Sequence, residues 1–178
     1  MGDIQVSYRE EIAKAMEMLC KDRRVIFLGQ SIRYPGHAMF GTLEKVPMFK
    51  RIELPVFEDV QMGMSIGLSL EGYIPVSIYP RMDFLIIAIN QLVNHLDKIE
   101  EMSCGQFKPK VIIRTMVGSK VPLDGGPQHT QDHTEALRHL LTNVDVYKLT
   151  ESKSVVLAYL KALESVRSTI LVEMSDLY

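Results

Sequence analysis

Cysteine is scarce in this chain. Cys20 and Cys104 are the only two, far apart and without a Cys-x-x-Cys pair, which reads as reduced thiols in a cytosolic protein. No excess of either charge is present. The 20 Lys and Arg residues face 22 Asp and Glu, for a net charge of −2. There is therefore no basic stripe for nucleic acid and no acidic tail that argues for disorder. Long apolar runs are missing too. The longest, "FLIIAI" at 84–89, is far too short to span a bilayer. The amino terminus "MGDIQVSYREE" is polar and lacks an apolar signal core, and Val6 breaks the myristoylation pattern that Gly2 would open. Glycine-rich phosphate loops are also absent. "GQSIRYPG" is neither GxGxxG nor a Walker sequence, and no GxSxG elbow occurs. If the protein handles a phosphorylated cofactor, another chain must hold the phosphates.

What is present is an ordinary globular composition, 47% hydrophobic and 24% charged over 178 residues. That length suits one domain, able to bury roughly 70% of its unfolded surface. The elements alternate. Residues 8–21 place Ile12, Ala15, Met16 and Leu19 on one helical face behind Ser7 as N-cap. Short apolar runs at 24–29, 51–56, 73–79, 110–115, 144–149 and 169–174 read as strands, and Pro75 suggests that the first residues of the third are unpaired. Helices are predicted at 57–71, 83–101, 132–141 and 152–166, and a short one near 39–45 within an irregular stretch. The segment 117–131 is a loop rich in glycine and proline. This alternation predicts an α/β fold, a mostly parallel sheet covered on both faces in three α/β/α layers. Ligands in such folds bind beyond the carboxyl ends of the strands. The turn after 56 and the loops after 79 and 115 all lie there.

Three segments carry candidate chemistry. Glu58 and Asp59 open the helix at 57–71, where acids offset the helix dipole by about 0.3–1 kcal/mol each. Gly63 and Gly67 stand four apart behind them, a spacing that permits close helix packing and predicts burial at a crowded interface. A buried carboxylate there needs a specific partner. Phe84 to Ile89 are apolar around the whole circumference of the 83–101 helix, so its start is expected to be buried on all sides, within the fold or at a subunit interface. "GGPQHTQDH" holds His129 and His133, but Pro127 and two glycines put His129 ahead of the helix, and no third metal ligand is evident. A loop imidazole acting on substrate is the better reading of His129 than a metal site.

Taken together, "YREEIAKAMEMLCKDRRVIFLGQ", "LPVFEDVQMGMSIGLSLEGYIPV", "MDFLIIAINQLVNHLDKI", "MSCGQFKPKVIIR" and "GPQHTQ" resemble the beta subunit of thiamine-diphosphate-dependent 2-oxoacid dehydrogenases. The matching part is its pyrimidine-binding domain, shared with transketolase, and the resemblance covers almost the whole chain. It implies that Glu58 hydrogen-bonds N1′ of the cofactor's aminopyrimidine and favours the imino tautomer that removes the thiazolium proton. It implies that Phe84 stacks beside that ring, that Val56 lines the cofactor site, and that His129 acts on substrate or intermediate. Asp59 keeps the capping role. The metal–diphosphate motif, Gly-Asp-Gly and a distant Asn, is absent, which implies an alpha-type partner subunit holding the diphosphate through Mg2+, in a heterotetramer or larger assembly. Pro80 and Arg81 depart from the pattern on the substrate side. The second, C-terminal domain of a typical beta subunit is also expected to be absent. The expectation is half of a split cytoplasmic enzyme acting on a 2-oxo acid or a ketose. The alternatives are a non-catalytic regulatory or scaffolding subunit that kept the fold, and a fragment of a longer enzyme.

Overall fold

A computed structural model describes residues 7–121 and 123–178. The reading of the amino terminus as free of a signal core and of a lipidation pattern concerns residues that lie outside this set up to position 6. Six strands form one sheet, β1 (Val25–Gly29), β2 (Arg51–Glu53), β3 (Ile74–Tyr79), β4 (Ile112–Val117), β5 (Val144–Lys148) and β6 (Ser168–Met174). Their order is β2-β1-β3-β4-β6-β5, and every pairing is parallel. Parallel strands must be linked by crossovers, and the helices that make them cover both faces.

On one face lie α1 (Tyr8–Leu19) and α6 (Ser152–Glu164). Ile12, Ala15, Met16 and Leu19, spaced as the sequence predicts, are fully buried against Val25, Phe27, Val76, Tyr159 and Leu171. Ser7 donates its amide to the Glu10 carboxylate at 3.3 Å, one half of a reciprocal cap. On the other face lie α2 (Glu58–Leu70), α3 (Met82–Leu85) and α5 (Thr134–Leu140), around Met62, Tyr79, Leu85, Ala88, Ile113 and Val172. Residue alternation along each strand divides these two cores. In β4, Ile112 and Met116 face the first, and Ile113 and Val117 the second.

Three expectations are corrected. First, the helix predicted at 83–101 is not uniform. After α3 the path tightens to a 3-10 turn at Ile86–Ala88, widens to a π turn at Gln91–Leu96, and ends in α4 (Ile99–Met102). The wide turn, closed by Asp97 N–H to the Leu92 carbonyl, carries the buried Asp97 carboxylate to the amides of Thr142 and Asn143 ahead of β5. Second, the start of this segment is not buried on all sides within this chain, which overturns the reading of a helix enclosed by its own fold and leaves the subunit-interface reading open. Leu85 and Ala88 are buried, but Ile86 and Ile87 are about half exposed. Third, Pro75 lies inside the sheet. The start of β3 pairs with β1, with Ile74 N–H bonded to the Arg24 carbonyl, and only its β4 side waits until Val76. The missing N–H of Pro75 therefore falls where that side has no partner strand.

Strand order reverses between β1 and β3, because the chain leaves β1 for β2 on one side and returns to β3 on the other. That crevice, at the strand carboxyl ends, is where such sheets bind ligands.

Candidate active site

Two devices bring α2 into place over the crevice. Gly29 ends β1 so close to β3 that a Cβ there would meet the Ile78 carbonyl oxygen at 2.6 Å. Beneath α2, Gln61 donates to the Ser77 hydroxyl at 3.1 Å and to the Ile78 carbonyl at 2.9 Å, while Ser65 donates to Ser77 at 3.0 Å. These buried polar bonds fix how far α2 slides along β3. Its first residue, Glu58, is thereby held at the crevice.

Glu58 is only 5% exposed. One carboxylate oxygen accepts a hydrogen bond from the Gln30 side-chain amide at 3.0 Å, and the other has no protein partner among the described residues. The Tyr79 hydroxyl lies under the helix start and donates to the Glu58 backbone carbonyl at 3.4 Å. Burial pushes the Tyr79 phenol above its ordinary range, so it stays a donor. Gln30 sits just past β1 in a loop pinned by Glu53, whose carboxylate accepts from the amides of Ser31, Ile32 and Arg33.

His129 arrives from the loop after β4. Gly118 is essential to its approach, because a Cβ there would lie 1.8 Å from the His129 carbonyl oxygen. Asp83, buried at the start of α3, accepts from both the backbone and the side-chain amide of Gln131 at about 3.0–3.1 Å, tying that loop to the helix that carries Phe84. The Phe84 and His129 rings meet edge to face, 5.3 Å between centroids at 81°.

Glu58, Phe84 and His129 therefore line one cleft of about 270 Å³, together with Gln30, His37 and Arg81. Val56 does not line it. It stands on the β2–α2 turn, 76% exposed. Asp59, in the first turn of α2, lies 3.5 Å from the Gln91 amide across the crossing of two helical segments. Gly63 faces Gln91 at that crossing, but a Cβ on Gly67 would meet nothing within 4 Å. A Cβ on Gly63 would stand 3.8 Å from Gln91, ordinary van der Waals contact, so neither glycine shows the expected crowding within this chain. His133 precedes α5, and no cluster of three or more metal-ligating side chains occurs among the described residues.

Sequence reasoning missed Gln30, His37 and Asp83. His37 lines the cleft with its Nε2 2.8 Å from the Gln30 carbonyl and its Nδ1 buried without a partner. Burial holds its imidazole below the ordinary value, reinforced by the Arg114 and Arg81 charges and opposed by the Gln30 carbonyl. Nothing in the segment "IRYPGHAM" signals this, since the histidine reaches the site only through the 3-10 turn at Ala38–Leu43 that follows it.

The cleft offers a shielded carboxylate, an aromatic wall and a histidine set edge to face against that wall. That set fits a planar heterocycle carrying a hydrogen-bonding ring nitrogen. No protein-family model matches the chain. It is 27% identical over 142 residues to the mitochondrial "Pyruvate dehydrogenase E1 component subunit beta" of Ascaris suum, a match covering 78% of this chain and 39% of that protein. It is 25% identical over 142 residues to "2-oxoisovalerate dehydrogenase subunit beta" of Bacillus subtilis (strain 168), covering 78% and 42%. Over 118 residues it is 30% identical to the chloroplastic "Pyruvate dehydrogenase E1 component subunit beta-3" of Arabidopsis thaliana, covering 65% and 29%. The chain thus spans about two fifths or less of these relatives' length. Among solved structures, "Split gene transketolase, inactive beta4 tetramer" superposes with a TM-score of 0.70 at 19% identity, covering 94% of this chain and 50% of that one. That likeness bears on the fold alone, the three-layer arrangement of helices on both faces of a parallel sheet.

Proposed function

We propose that this chain, of the thiamine-diphosphate-dependent beta-subunit and transketolase pyrimidine-domain family, binds the aminopyrimidine half of thiamine diphosphate in the Glu58 cleft. The observation that carries this reading is the Glu58 carboxylate, nearly buried, steadied by Gln30 on one oxygen and free on the other. A carboxylate so placed holds a proton shared with a ring nitrogen in a strong, charge-assisted bond. Phe84 supplies the apolar wall that excludes water from that bond, and Val56 becomes part of the wall once a neighbouring chain covers the turn it stands on. His129, beside Phe84 in the same cleft, donates or accepts a proton at the substrate. When bound, the cofactor supplies carbanion chemistry next to a carbonyl, and the chain supplies orientation and electrostatics.

The partner in this reading is an alpha-type chain that holds the diphosphate through a divalent metal, Mg2+ by preference, in a heterooligomer. The reaction makes or breaks a carbon–carbon bond of a 2-oxo acid or a ketose. The helix start that lines the cleft, that of α2, carries Glu58 and Asp59, whose negative charges oppose a phosphate there. Calorimetric titration with thiamine diphosphate and Mg2+ tests this division of labour. The chain alone is expected to bind weakly, and addition of a chain carrying the Gly-Asp-Gly…Asn motif should tighten binding by at least about a hundredfold, the range of linked contacts. Tight binding by the chain alone would contradict the split site.

A further inference from the structure

Of the two histidines that line the cleft, His37 has no ring nitrogen left for a substrate. Its Nε2 lies 2.8 Å from the Gln30 carbonyl, an acceptor, so that nitrogen carries a proton and donates it. Its Nδ1 is buried with no partner among the described residues. Burial, with the Arg114 and Arg81 charges, favours the neutral ring, which has a single N–H to give. That N–H is committed to the backbone of Gln30, the residue whose side chain holds Glu58.

The stretch between the two residues, seven apart in sequence, folds back on itself. Ser31 takes a left-handed backbone conformation, φ +50°, uncommon outside glycine. Gly36 closes on it from the far end, where a Cβ would lie 2.5 Å from the Ser31 Oγ. β2 fixes the middle of the loop. Glu53 accepts from the amides of Ser31, Ile32 and Arg33, and Arg51 donates to the Ile32 carbonyl at 3.1 Å. None of these bonds engages the Gln30 carbonyl, which is left to the His37 ring.

We infer that His37 is a positioning residue for Glu58: its ring sets the Gln30 peptide so that the Gln30 amide stays on one carboxylate oxygen and leaves the other free for a ligand. The relay runs from His37 Nε2–H to the Gln30 carbonyl, and from Gln30 Nε2–H to Glu58 Oε1 at 3.0 Å. The inference rests on the proposed function in taking Glu58 for the carboxylate that engages the cofactor. It adds a residue that acts on that carboxylate through another, and it divides the two cleft histidines, His129 for chemistry and His37 for placement.

The first arm of the test uses the full chain without cofactor or partner, and follows hydrogen exchange at the Gln30 side-chain amide by NMR. His37→Leu is expected to speed that exchange by about tenfold, the scale of a lost bond to a charged group. His37→Gln carries an amide donor of reach comparable to Nε2–H and should restore protection, whereas the shorter His37→Asn should not. These two polar variants keep the test decisive if leucine disturbs folding. The second arm reads deuterium exchange at the thiazolium C2 of thiamine diphosphate bound to this chain and a diphosphate-binding partner. His37→Leu and Gln30→Ala should each slow it by about tenfold, and the double variant should be no slower than Gln30→Ala alone, because both changes break one relay. Unchanged amide exchange in His37→Leu, equal behaviour of the Gln and Asn variants, or additive losses in the double variant overturn the inference. Failure of the proposed function shows elsewhere: C2 exchange is then insensitive to Glu58→Gln, while the amide arm still decides whether His37 places Gln30.

Discussion

Glu58 shows how one side chain carries two explanations of different reach. As the first residue of α2 it offsets the helix dipole, and so does Asp59 beside it. Position separates them. Asp59 turns to Gln91 on a neighbouring segment, while Glu58 is buried at the cleft with Gln30 on one oxygen. A second buried ion system lies under the sheet, where Arg114 and Glu173 pair through two hydrogen bonds and the Tyr159 and Tyr178 hydroxyls donate to the same carboxylate. Removing one charge from such a pair strands the other. Glu173→Gln is therefore expected to destabilise the fold by about 3–5 kcal/mol, read from urea unfolding midpoints. A change below about 1 kcal/mol would mean that the tyrosines, and not the ion pair, organise this cluster. The sequence pattern made Glu58 and His129 legible because their neighbours, "LPVFED" and "GPQHTQ", are local signatures. Gln30, His37 and Arg114 were not legible, because a buried polar network is assembled from residues tens of positions apart.

Elements were read more easily than their irregularities. Six apolar runs became six parallel strands, because buried strands are continuous in hydrophobicity and their ends are marked by Gly29, Pro80 and similar breaks. The segment after β3 was harder. Its apolar pattern fits a single helix, yet the backbone changes its hydrogen-bond spacing twice to seat Asp97 and to leave Ile86 and Ile87 outward. Those isoleucines, with Phe57 just ahead of α2 and Val60 and Met64 on it, are exposed apolar side chains. Gly67 lies on the same helix, exposed, with open space above it. In the isolated chain, Gly67→Ala should raise stability by about 0.5–1 kcal/mol, the ordinary helix-propensity gain. If another subunit packs on this surface, as the proposed split enzyme requires, the same methyl group will weaken assembly with the diphosphate-binding chain, measured by sedimentation. A variant that is both more stable and assembles normally would show that this part of α2 stays in solvent.

At the scale of the molecule, strand order does most of the positioning. The reversal between β1 and β3 opens a crevice, and Gln30, Glu58, Arg81 and His129 arrive there from four different connections. No helix in the described residues is long and apolar enough to cross a membrane. The chain spans about two fifths or less of the curated relatives it matches, so the division of cofactor binding between chains belongs to the proposal. Its central claim is that Glu58 activates the cofactor. The most direct measurement is deuterium exchange at the thiazolium C2 position of thiamine diphosphate, bound to this chain and a diphosphate-binding partner. Glu58→Gln is expected to slow that exchange by at least about 10²-fold, the scale of a lost proton-transfer group, with the melting temperature little changed. Exchange at the wild-type rate in a fully assembled, cofactor-loaded Glu58→Gln enzyme would contradict the account.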